Sequence, residues 1–317
     1  MRSILVLGIS VVGCCGVLDA GWDVPKGVLP VDQRNPVVLC NDGAYDDWQG
    51  EYALLFANSG GPNLAGIVIN DGWPWTNLDE NIAGWRQMVA AARQSGLSNL
   101  PDPITSSGPV LVRPDDGNID STIPNRSEGA RFIIDASRRW WQPSRPLVVI
   151  TGGRLTDVAD AYLMDPTLPE RIVVVASLGT ANDSGGEMGL PNGQLDSWSD
   201  IIVAQKFRYV QVSSYYDALT DVPENLLSQL PDNAFTSWIA SKQPGVAYAY
   251  DQVGYQVVAM PELVSKARKV VQRGESTEKV PLLVNDAEGT AMVVSDVSHA
   301  LATAKFWELL LDPATFR

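Results

Sequence analysis

The sequence predicts an α/β protein whose sheet is open, twisted and mostly parallel, with helices flanking it. From residue 36 onward, short apolar runs alternate with amphipathic helical stretches, as in successive βαβ units. The runs at 147–150 and 172–176 show no polar alternation, which suits strands covered on both faces. Because ligands of such sheets bind outside the carboxyl ends of the strands, we expect the active site at that edge.

The individual elements follow from local patterns of apolar and polar residues. The predicted strands are 37–40, 64–69, 147–150, 172–176, 209–212, 282–284 and 291–294. The predicted helices are 48–57, 81–95, 127–140, 158–163 and 299–311. The third of these helices has Ser127 or Asn125 as its capping residue, and the polar, turn-rich segment 115–124 is predicted to be a surface loop. We find no internal repeat or clear linker, so one domain over 36–317 is favoured.

Composition and charge narrow the range of functions. The chain has 317 residues, of which 45% are hydrophobic and 19% charged, as is typical of a globular protein. The net charge of -14 makes nucleic acid and anionic membrane surfaces poor partners. An acidic chain instead fits a cation or a neutral small molecule as its ligand. Beyond the N-terminal region, no segment is apolar for long enough to cross a membrane.

The N-terminus has the pattern of an export signal. Arg2 precedes an apolar run at 4–12, which small residues follow. We predict a signal peptide over 1–20 and a linker over 21–35, with a secreted or periplasmic location. One alternative is a lipoprotein signal that ends before Cys14, which would then carry a lipid anchor; another is an uncleaved buried strand. Of the 3 cysteines only Cys40 lies beyond the signal, so no internal disulfide is expected.

Three aspartates follow the first predicted strand within six positions. Asp42, Asp46 and Asp47 come just before a predicted helix. One interpretation is that Asp46 or Asp47 caps that helix. A cap explains one carboxylate but not three, because neighbouring carboxylates raise one another's pKa unless a cation lies between them. The other interpretation is therefore a divalent cation with oxygen ligands, and calcium accepts such an irregular ligand shell.

A second polar segment follows the predicted strand at 147–150. It reads Thr-Gly-Gly-Arg-Leu-Thr-Asp from Thr151 to Asp157 and leads into a predicted helix. A glycine pair at a strand end lets the backbone approach a ligand closely. The same pair would also suit a tight turn into the helix, so this segment does not by itself establish a site.

Together these segments resemble the inosine-uridine-preferring nucleoside hydrolase family, as a divergent, exported member. That family has an Asp-x-Asp-x-x-x-Asp-Asp motif after its first strand and Thr-Gly-Gly-Leu-Thr-Asn after a middle strand. Here Asp42, Asp46 and Asp47 match the first motif, and residues 151–156 match the second with Arg154 as an insertion. Ala-Tyr-Ala-Tyr-Asp at 247–251 is similar to the family's helix start with a His-Asp pair. The resemblance covers about 35 to 315 and implies the nucleoside hydrolase fold.

The resemblance implies a calcium-dependent enzyme of nucleoside salvage that cleaves the N-glycosidic bond of ribonucleosides, giving ribose and the free base. In this scheme a metal-bound water attacks the anomeric carbon, and Asp42 is the general base. Asp46 would bind ribose hydroxyls, as would either Asn70 or Asp71. The implied metal ligands are Asp42, Asp47, the Thr151 carbonyl and Asp251. Family members are often oligomers, so a homo-oligomer is expected.

The chain departs from the family pattern at several positions. Cys40 replaces the first acid of the motif, and Tyr250 stands where many members have a histidine that protonates the leaving base. The family's ribose-binding Glu-x-Asn segment has no clean counterpart. Its candidate replacements are Gln194 and Asp196, with Asn182 or Asn192 upstream, and Trp73, Trp75 or Trp198 for stacking on a base. Two alternatives stay open: a non-catalytic nucleoside- or sugar-binding protein, and a glycosidase whose paired carboxylates act without metal.

Overall fold

The computed structural model describes residues 29–43, 48–74, 76–178, 180–181, 187–188, 192–213, 228–242 and 251–317. The predicted signal peptide over 1–20, with Cys14, lies outside these residues, as does the linker up to residue 28. No helix in the described ranges combines the length and the apolar character that a membrane crossing requires.

The described residues form one mixed sheet. Its strands are β1 (Pro36–Asn41), β2 (Asn63–Ile69), β3 (Pro103–Thr105), β4 (Leu147–Gly152), β5 (Ile172–Ser177), β6 (Thr180–Ala181), β7 (Glu187–Met188), β8 (Arg208–Val212), β9 (Val264–Glu275), β10 (Pro281–Asn285) and β11 (Ala291–Val297). They lie in the order β3-β2-β1-β4-β5-β8-β11-β9-β10-β7-β6. Every pairing from β3 to β11 is parallel, and the remaining pairings are antiparallel. The predicted α/β class with a mostly parallel sheet is confirmed.

Helices flank this sheet, as the alternation of the sequence predicts. They are α1 (Gln49–Ala57), α2 (Leu78–Gln94), α3 (Glu128–Trp140), α4 (Thr156–Met164), α5 (Asn192–Leu195), α6 (Ser197–Lys206), α7 (Ala234–Lys242), α8 (Gln252–Ala259) and α9 (His299–Leu311). Ser127 caps α3 by accepting a hydrogen bond from the backbone of Ala130, so the first of its two predicted caps is used.

The core has two parts, one on each face of the sheet. The strands β1, β4 and β5 are buried along their whole length, so their alternate residues enter opposite parts. One part contains Val37 with α1, α2, α8 and α9, and the other contains Val38 with α3, α4 and α6. Burial on both faces explains the apolar runs without alternation.

The register of the central strands determines which residues meet at the carboxyl edge of the sheet. Asn41, at the end of β1, is paired with Ile69 of β2 on one side and with Gly152 of β4 on the other. Thr151 of β4 is paired with Ala176 of β5. All four strands are parallel, so the residues that follow them gather at one edge of the sheet.

Candidate active site

The ends of β1, β2 and β4 bring three of the predicted site segments together. The backbone N–H of Asp42 donates to the carbonyl of Gly152 at 3.2 Å, and that of Asn70 donates to the carbonyl of Asn41 at 3.0 Å. These bonds continue the parallel ladder by one residue beyond the strands. Asp42 and Gly152, which are 110 positions apart in sequence, are therefore direct neighbours.

The carboxyl group of Asp42 lies between two glycines. A Cβ added at Gly153, whose φ is +142°, would lie 2.6 Å from the Cγ of Asp42. A Cβ added at Gly72, just after β2, would lie 2.9 Å from its Oδ2. Any larger residue at Gly153 would therefore meet the carboxyl group and also strain the backbone. Glycine at these positions lets the backbone pack directly against this buried aspartate, which is only 8% exposed.

Asp251, from the far end of the chain, reaches the same glycine pair. A Cβ added at Gly152 would lie 2.5 Å from the Cβ of Asp251. The Asp251 carboxylate accepts a hydrogen bond from the Nδ2 of Asn192 at 2.8 Å. Its backbone carbonyl accepts from Gln49 and from Ser177, each at 2.8 Å. Asp251 thus packs against Gly152, and Asp42 packs against the next residue, Gly153. Asn192 is hydrogen-bonded to Asp251.

A buried amide network supports this arrangement, and sequence reasoning did not identify it. The Asn41 amide donates to the Oε1 of Gln49 at 3.0 Å and to the carbonyl of Gly152 at 3.3 Å. Its Oδ1 accepts from the indole N–H of Trp85 at 2.8 Å. Because Gln49 also donates to Asp251, it connects the end of β1 to the start of α8. The burial of Gln49 is visible only in the structure, so the sequence carried no local signal for this network.

Asn70 and Asp71, the two alternative sugar-binding residues after β2, differ in burial. Asn70 is 1% exposed, and its Nδ2 donates to the carbonyl of Arg154 at 3.4 Å and to Oδ2 of Asp157 at 3.3 Å. Asp71 is partly exposed and accepts from the backbone of Trp73 at 3.2 Å. The indole of Trp73 is itself 73% exposed. Of these three residues, Asn70 is the one hydrogen-bonded to the turn after β4.

Asp157 is a further buried carboxylate beside this turn. Its Oδ1 accepts from the hydroxyls of Ser106 at 2.5 Å and Ser127 at 2.9 Å. Burial raises the pKa of this carboxyl, while the hydroxyl and amide donors act against the increase. Cys40 is buried nearby, and burial together with the charge of Asp157 raises the pKa of its thiol well above the usual value. Cys40 therefore stays a neutral thiol.

The candidate residues in α5 and α6 differ in their exposure and in their hydrogen-bond partners. Asn192 contacts Asp251, whereas Gln194 is exposed. Asp196 caps α6, and its carboxylate accepts from Ser199, from the hydroxyl of Thr156 and from a backbone N–H. Trp198 is buried, and its indole N–H donates to a threonine hydroxyl. The described hydrogen bonds of Asp196 and Trp198 are thus made within the protein.

Several predicted site residues lie outside the described part of the chain. They are Asp46, Asp47, Trp75, Asn182 and Tyr250. The residues that are described include no group of three or more His, Cys, Asp or Glu side chains that could hold a metal ion. Of the three carboxylates proposed as metal ligands, Asp47 belongs to the segment 44–47, so only Asp42 and Asp251 are among the described residues.

The described donors nevertheless fit a hard cation. Two buried aspartates pack against the glycine pair, Asp42 through its carboxyl group at Gly153 and Asp251 through its Cβ at Gly152. The Oγ1 of Thr151 is buried at the end of β4 and has no hydrogen-bond partner among the described residues. Carboxylate, hydroxyl and backbone oxygens are the ligands that calcium prefers.

Comparisons with known proteins place this geometry on a known fold. An inosine-guanosine nucleoside hydrolase matches with a TM-score of 0.64 at 13% identity over 86% of this chain and 98% of that one. The inosine-uridine preferring nucleoside hydrolase of Bacillus anthracis matches with a TM-score of 0.61 at 14% identity, over 87% and 99%. The chain has the nucleoside hydrolase fold. No protein-family model matches the sequence, and no curated protein matches it significantly.

The nucleoside hydrolase fold also occurs in a more distant match. A nucleoside hydrolase-related protein from Saccharophagus degradans, described as associated with carbohydrate metabolism, has a TM-score of 0.54 at 17% identity. The match covers 88% of this chain and 72% of that one. At such identities the likeness concerns the nucleoside hydrolase fold alone, and the chemistry must be argued from the residues of this chain.

Proposed function

We propose that this chain hydrolyses the N-glycosidic bond of ribonucleosides and releases ribose and the free base. The observation that carries the proposal is the convergence of Asp42 and Asp251 on Gly152 and Gly153. This convergence occurs at the carboxyl edge of a nucleoside hydrolase fold. Buried carboxylates gathered in this way favour a cationic group between them. A metal ion and a sugar that develops positive charge both meet that requirement.

Calcium is the metal that we propose for this site. Its ligands would be Asp42, Asp47, the backbone carbonyl of Thr151, and Asp251. The chemistry that calcium supplies when bound is Lewis-acid activation of water and compensation of the carboxylate charge.

The protein groups then have separate roles. Asp42 would accept the proton of the attacking water as general base, and its charge would stabilise the oxocarbenium-like transition state. Asp46 and Asn70 would hold ribose hydroxyls, with Asp71 as the alternative to Asn70. Tyr250 would donate a proton to the departing base, although a phenol is a weaker acid than an imidazolium. Asn192 and Gln194 are proposed along the substrate, whereas Asp196 caps α6 and Trp198 donates to a threonine hydroxyl, so both are assigned to the fold.

A panel of ribonucleosides tests this function. Release of reducing sugar is measured for the wild type and for Asp42→Ala, with and without a chelator and added calcium. We expect wild-type turnover that requires calcium, and a loss on the order of 10³-fold in the variant, because a general base contributes about 10²–10⁴-fold. Calorimetric titration with calcium supplies a readout that does not depend on turnover. Absence of turnover on every nucleoside would refute the proposal.

A second candidate is non-catalytic binding of a nucleoside or a sugar on the same scaffold. Tyr250 in place of histidine favours this candidate, because a phenol is a weaker acid for the departing base. Binding of ribose or of a nucleoside without release of reducing sugar would support it over the enzyme.

Location and assembly are also proposals. We propose export through the signal at 1–20, with a lipid anchor at Cys14 as the alternative, and assembly as a homo-oligomer. N-terminal sequencing of the secreted protein and light scattering would test them.

A further inference from the structure

The amide of Asn70 is asymmetric in its hydrogen bonding. A primary amide has two N–H donors and one carbonyl acceptor. Its Nδ2 donates to the Arg154 carbonyl and to the Asp157 carboxylate, so both donors have partners within the protein. Its Oδ1 is buried and has no hydrogen-bond partner among the residues that the structure describes. The one unused group of this side chain is therefore an acceptor.

The surroundings of Asn70 fix this orientation. Rotating the amide by half a turn would place Oδ1 against the Arg154 carbonyl and the Asp157 carboxylate, where oxygen would face oxygen. An ionised carboxylate and a backbone carbonyl can only accept hydrogen bonds. The position of nitrogen and oxygen in Asn70 thus follows from the chemistry of its two neighbours.

Asp157 is in turn held firmly. Its second oxygen accepts from the hydroxyls of Ser106 and Ser127. Ser106 is anchored to β2 by its backbone N–H, which donates to the carbonyl of Ile69 at 2.8 Å, and Ser127 is the cap of α3. The carboxylate is therefore connected to two elements besides its own helix, and a connected network of this kind restricts the positions of its members.

We propose that Asp157 is a positioning residue for substrate recognition, which acts through Asn70 to present a hydrogen-bond acceptor to one hydroxyl of the bound sugar. The inference rests on the proposed function, since it assigns the unused acceptor to the substrate. Buried polar atoms without a partner are rare in proteins, and a ligand that supplies the missing donor explains this one. The recognised group is consequently a hydroxyl that donates, and an analogue that lacks the hydroxyl is discriminated against.

Asp160 provides a matched control on the same helix. It is as buried as Asp157, and its carboxylate accepts from the backbone N–H groups of Arg126 and Ser127. The single hydroxyl proton of Ser127 is within reach of both carboxylates and is shared between them. The residues that donate these hydrogen bonds to Asp160 all lie at the start of α3. Replacing Asp160 therefore disturbs the same neighbourhood without removing an acceptor from Asn70.

The test compares sugar discrimination among variants. Values of kcat and KM are measured on a ribonucleoside and on its 2′-deoxy and 3′-deoxy analogues, for the wild type, Asp157→Ala, Asn70→Ala, the double variant and Asp160→Ala. We expect wild-type kcat/KM to fall at least about tenfold for one deoxy analogue, as loss of one hydrogen bond predicts. Asp157→Ala should lose most of this discrimination, mainly through a higher KM for the ribonucleoside.

The double variant and the control sharpen the result. If Asp157 acts through Asn70, the double variant should resemble Asn70→Ala, because coupled residues are not additive. Asp160→Ala should keep the wild-type discrimination. Should Asp157→Ala fail to fold, Asp157→Leu, which keeps the branching at Cγ without an acceptor, takes its place. Discrimination retained without the Asp157 carboxylate, or lost equally in Asp160→Ala, would overturn the inference.

Failure of this inference can be distinguished from failure of the proposed function. Turnover of ribonucleosides with unchanged discrimination in Asp157→Ala overturns the inference alone. Absence of wild-type turnover refutes the function, and calorimetric binding of the same three nucleosides then decides the inference with the same variants. A wild type that binds the ribonucleoside and both deoxy analogues equally, or binds none of them, would overturn the inference as well.

Discussion

Two groups of buried aspartates differ in what surrounds their carboxyl oxygens. Asp42 and Asp251 lie against the glycine pair at the end of β4, where an added Cβ would come within 2.6 Å of either side chain. The carboxylates of Asp160, a residue of α4, and of Asp196 lie at the starts of α3 and α6, where hydroxyls and backbone N–H groups donate to them. All four are at most 8% exposed, so burial alone does not separate the two groups.

The difference shows how a site carboxylate can be distinguished from a structural one. A capping carboxylate has its charge stabilised by donors of the protein, and its contribution is to the fold. Asp42 and Asp251 instead pack directly against glycine backbone, and the absence of a Cβ permits that close approach at the proposed site. Substitutions of aspartates in different surroundings test this distinction.

Asp251→Asn should have the largest effect of these substitutions. Asparagine keeps the shape of the side chain and an oxygen for the hydrogen bond from Asn192, so the fold should be retained. One charge is lost from the proposed cation site, and kcat/KM should fall on the order of 10²- to 10³-fold, since a bound metal supplies several kcal/mol of transition-state stabilisation. Calcium affinity, measured by calorimetry, should weaken in parallel.

Asp160→Asn is the control for Asp251→Asn, because it changes a buried aspartate of the capping group. Its kcat/KM per folded molecule should stay near the wild-type value. Equal losses of activity in the two variants would contradict the division into two groups.

The parallel part of the fold was predictable from the sequence except for the short strand β3, and the antiparallel part was predictable only in part. Central strands such as β4 and β5 are buried on both faces, so their apolar runs stand out. The prediction of strands at 282–284 and 291–294 is confirmed by β10 and β11, but β9 was missed. Over its 12 residues β9 alternates irregularly between buried and exposed positions and is rich in charged residues, so it has no apolar run.

The proximity of two candidate site segments was predictable where the chain carries short motifs. The aspartate after β1 and the glycine pair after β4 are local patterns, and parallel pairing necessarily brings them together. The contacts of Gln49 with Asp251 and of Asp157 with Asn70 join residues 202 and 87 positions apart. Such pairs depend on helix packing, which no local pattern in one sequence records.

Among the changes that affect stability, Asp200→Asn should have the largest effect. Asp200 is a buried aspartate that belongs to neither of the two groups. Burial raises its pKa from 3.8 to about 7, and the charge of Asp196 acts in the same direction. The folded state therefore binds more protons than the unfolded state between these values. Stability is fully present below pH 3.8 and falls as pH rises through about 7, by up to ~1.4 kcal/mol per pH unit.

Urea unfolding of Asp200→Asn between pH 4 and pH 8 tests this expectation. Asparagine does not titrate, so the decrease in stability over this range should be smaller in the variant than in the wild type. The difference should be greatest at pH 8, where the wild-type carboxyl is ionised while buried. Parallel stability curves for the two proteins would show that Asp200 is ionised in both states.

Asp160→Ala should have a smaller effect on stability and little on catalysis. The substitution leaves the backbone N–H groups of Arg126 and Ser127 without their acceptor, and losing the partner of a buried donor costs about 1–3 kcal/mol. Urea unfolding at pH 7 measures the loss. A variant as stable as the wild type would mean that water replaces the carboxylate, and that capping does not account for the burial of Asp160.

Asp102→Ala should have the smallest effect, because this aspartate is exposed. Its side chain is 82% exposed and forms an ion pair with Arg93 at 2.6 Å. Arg93 also donates to the carbonyl of Leu100, so it keeps a partner in the variant. Exposed ion pairs contribute at most about 1 kcal/mol and are weakened by salt. Urea unfolding should show a loss below that of Asp160→Ala that shrinks further in 1 M salt; a loss as large as that of Asp160→Ala would show that burial does not set the contribution of these carboxylates.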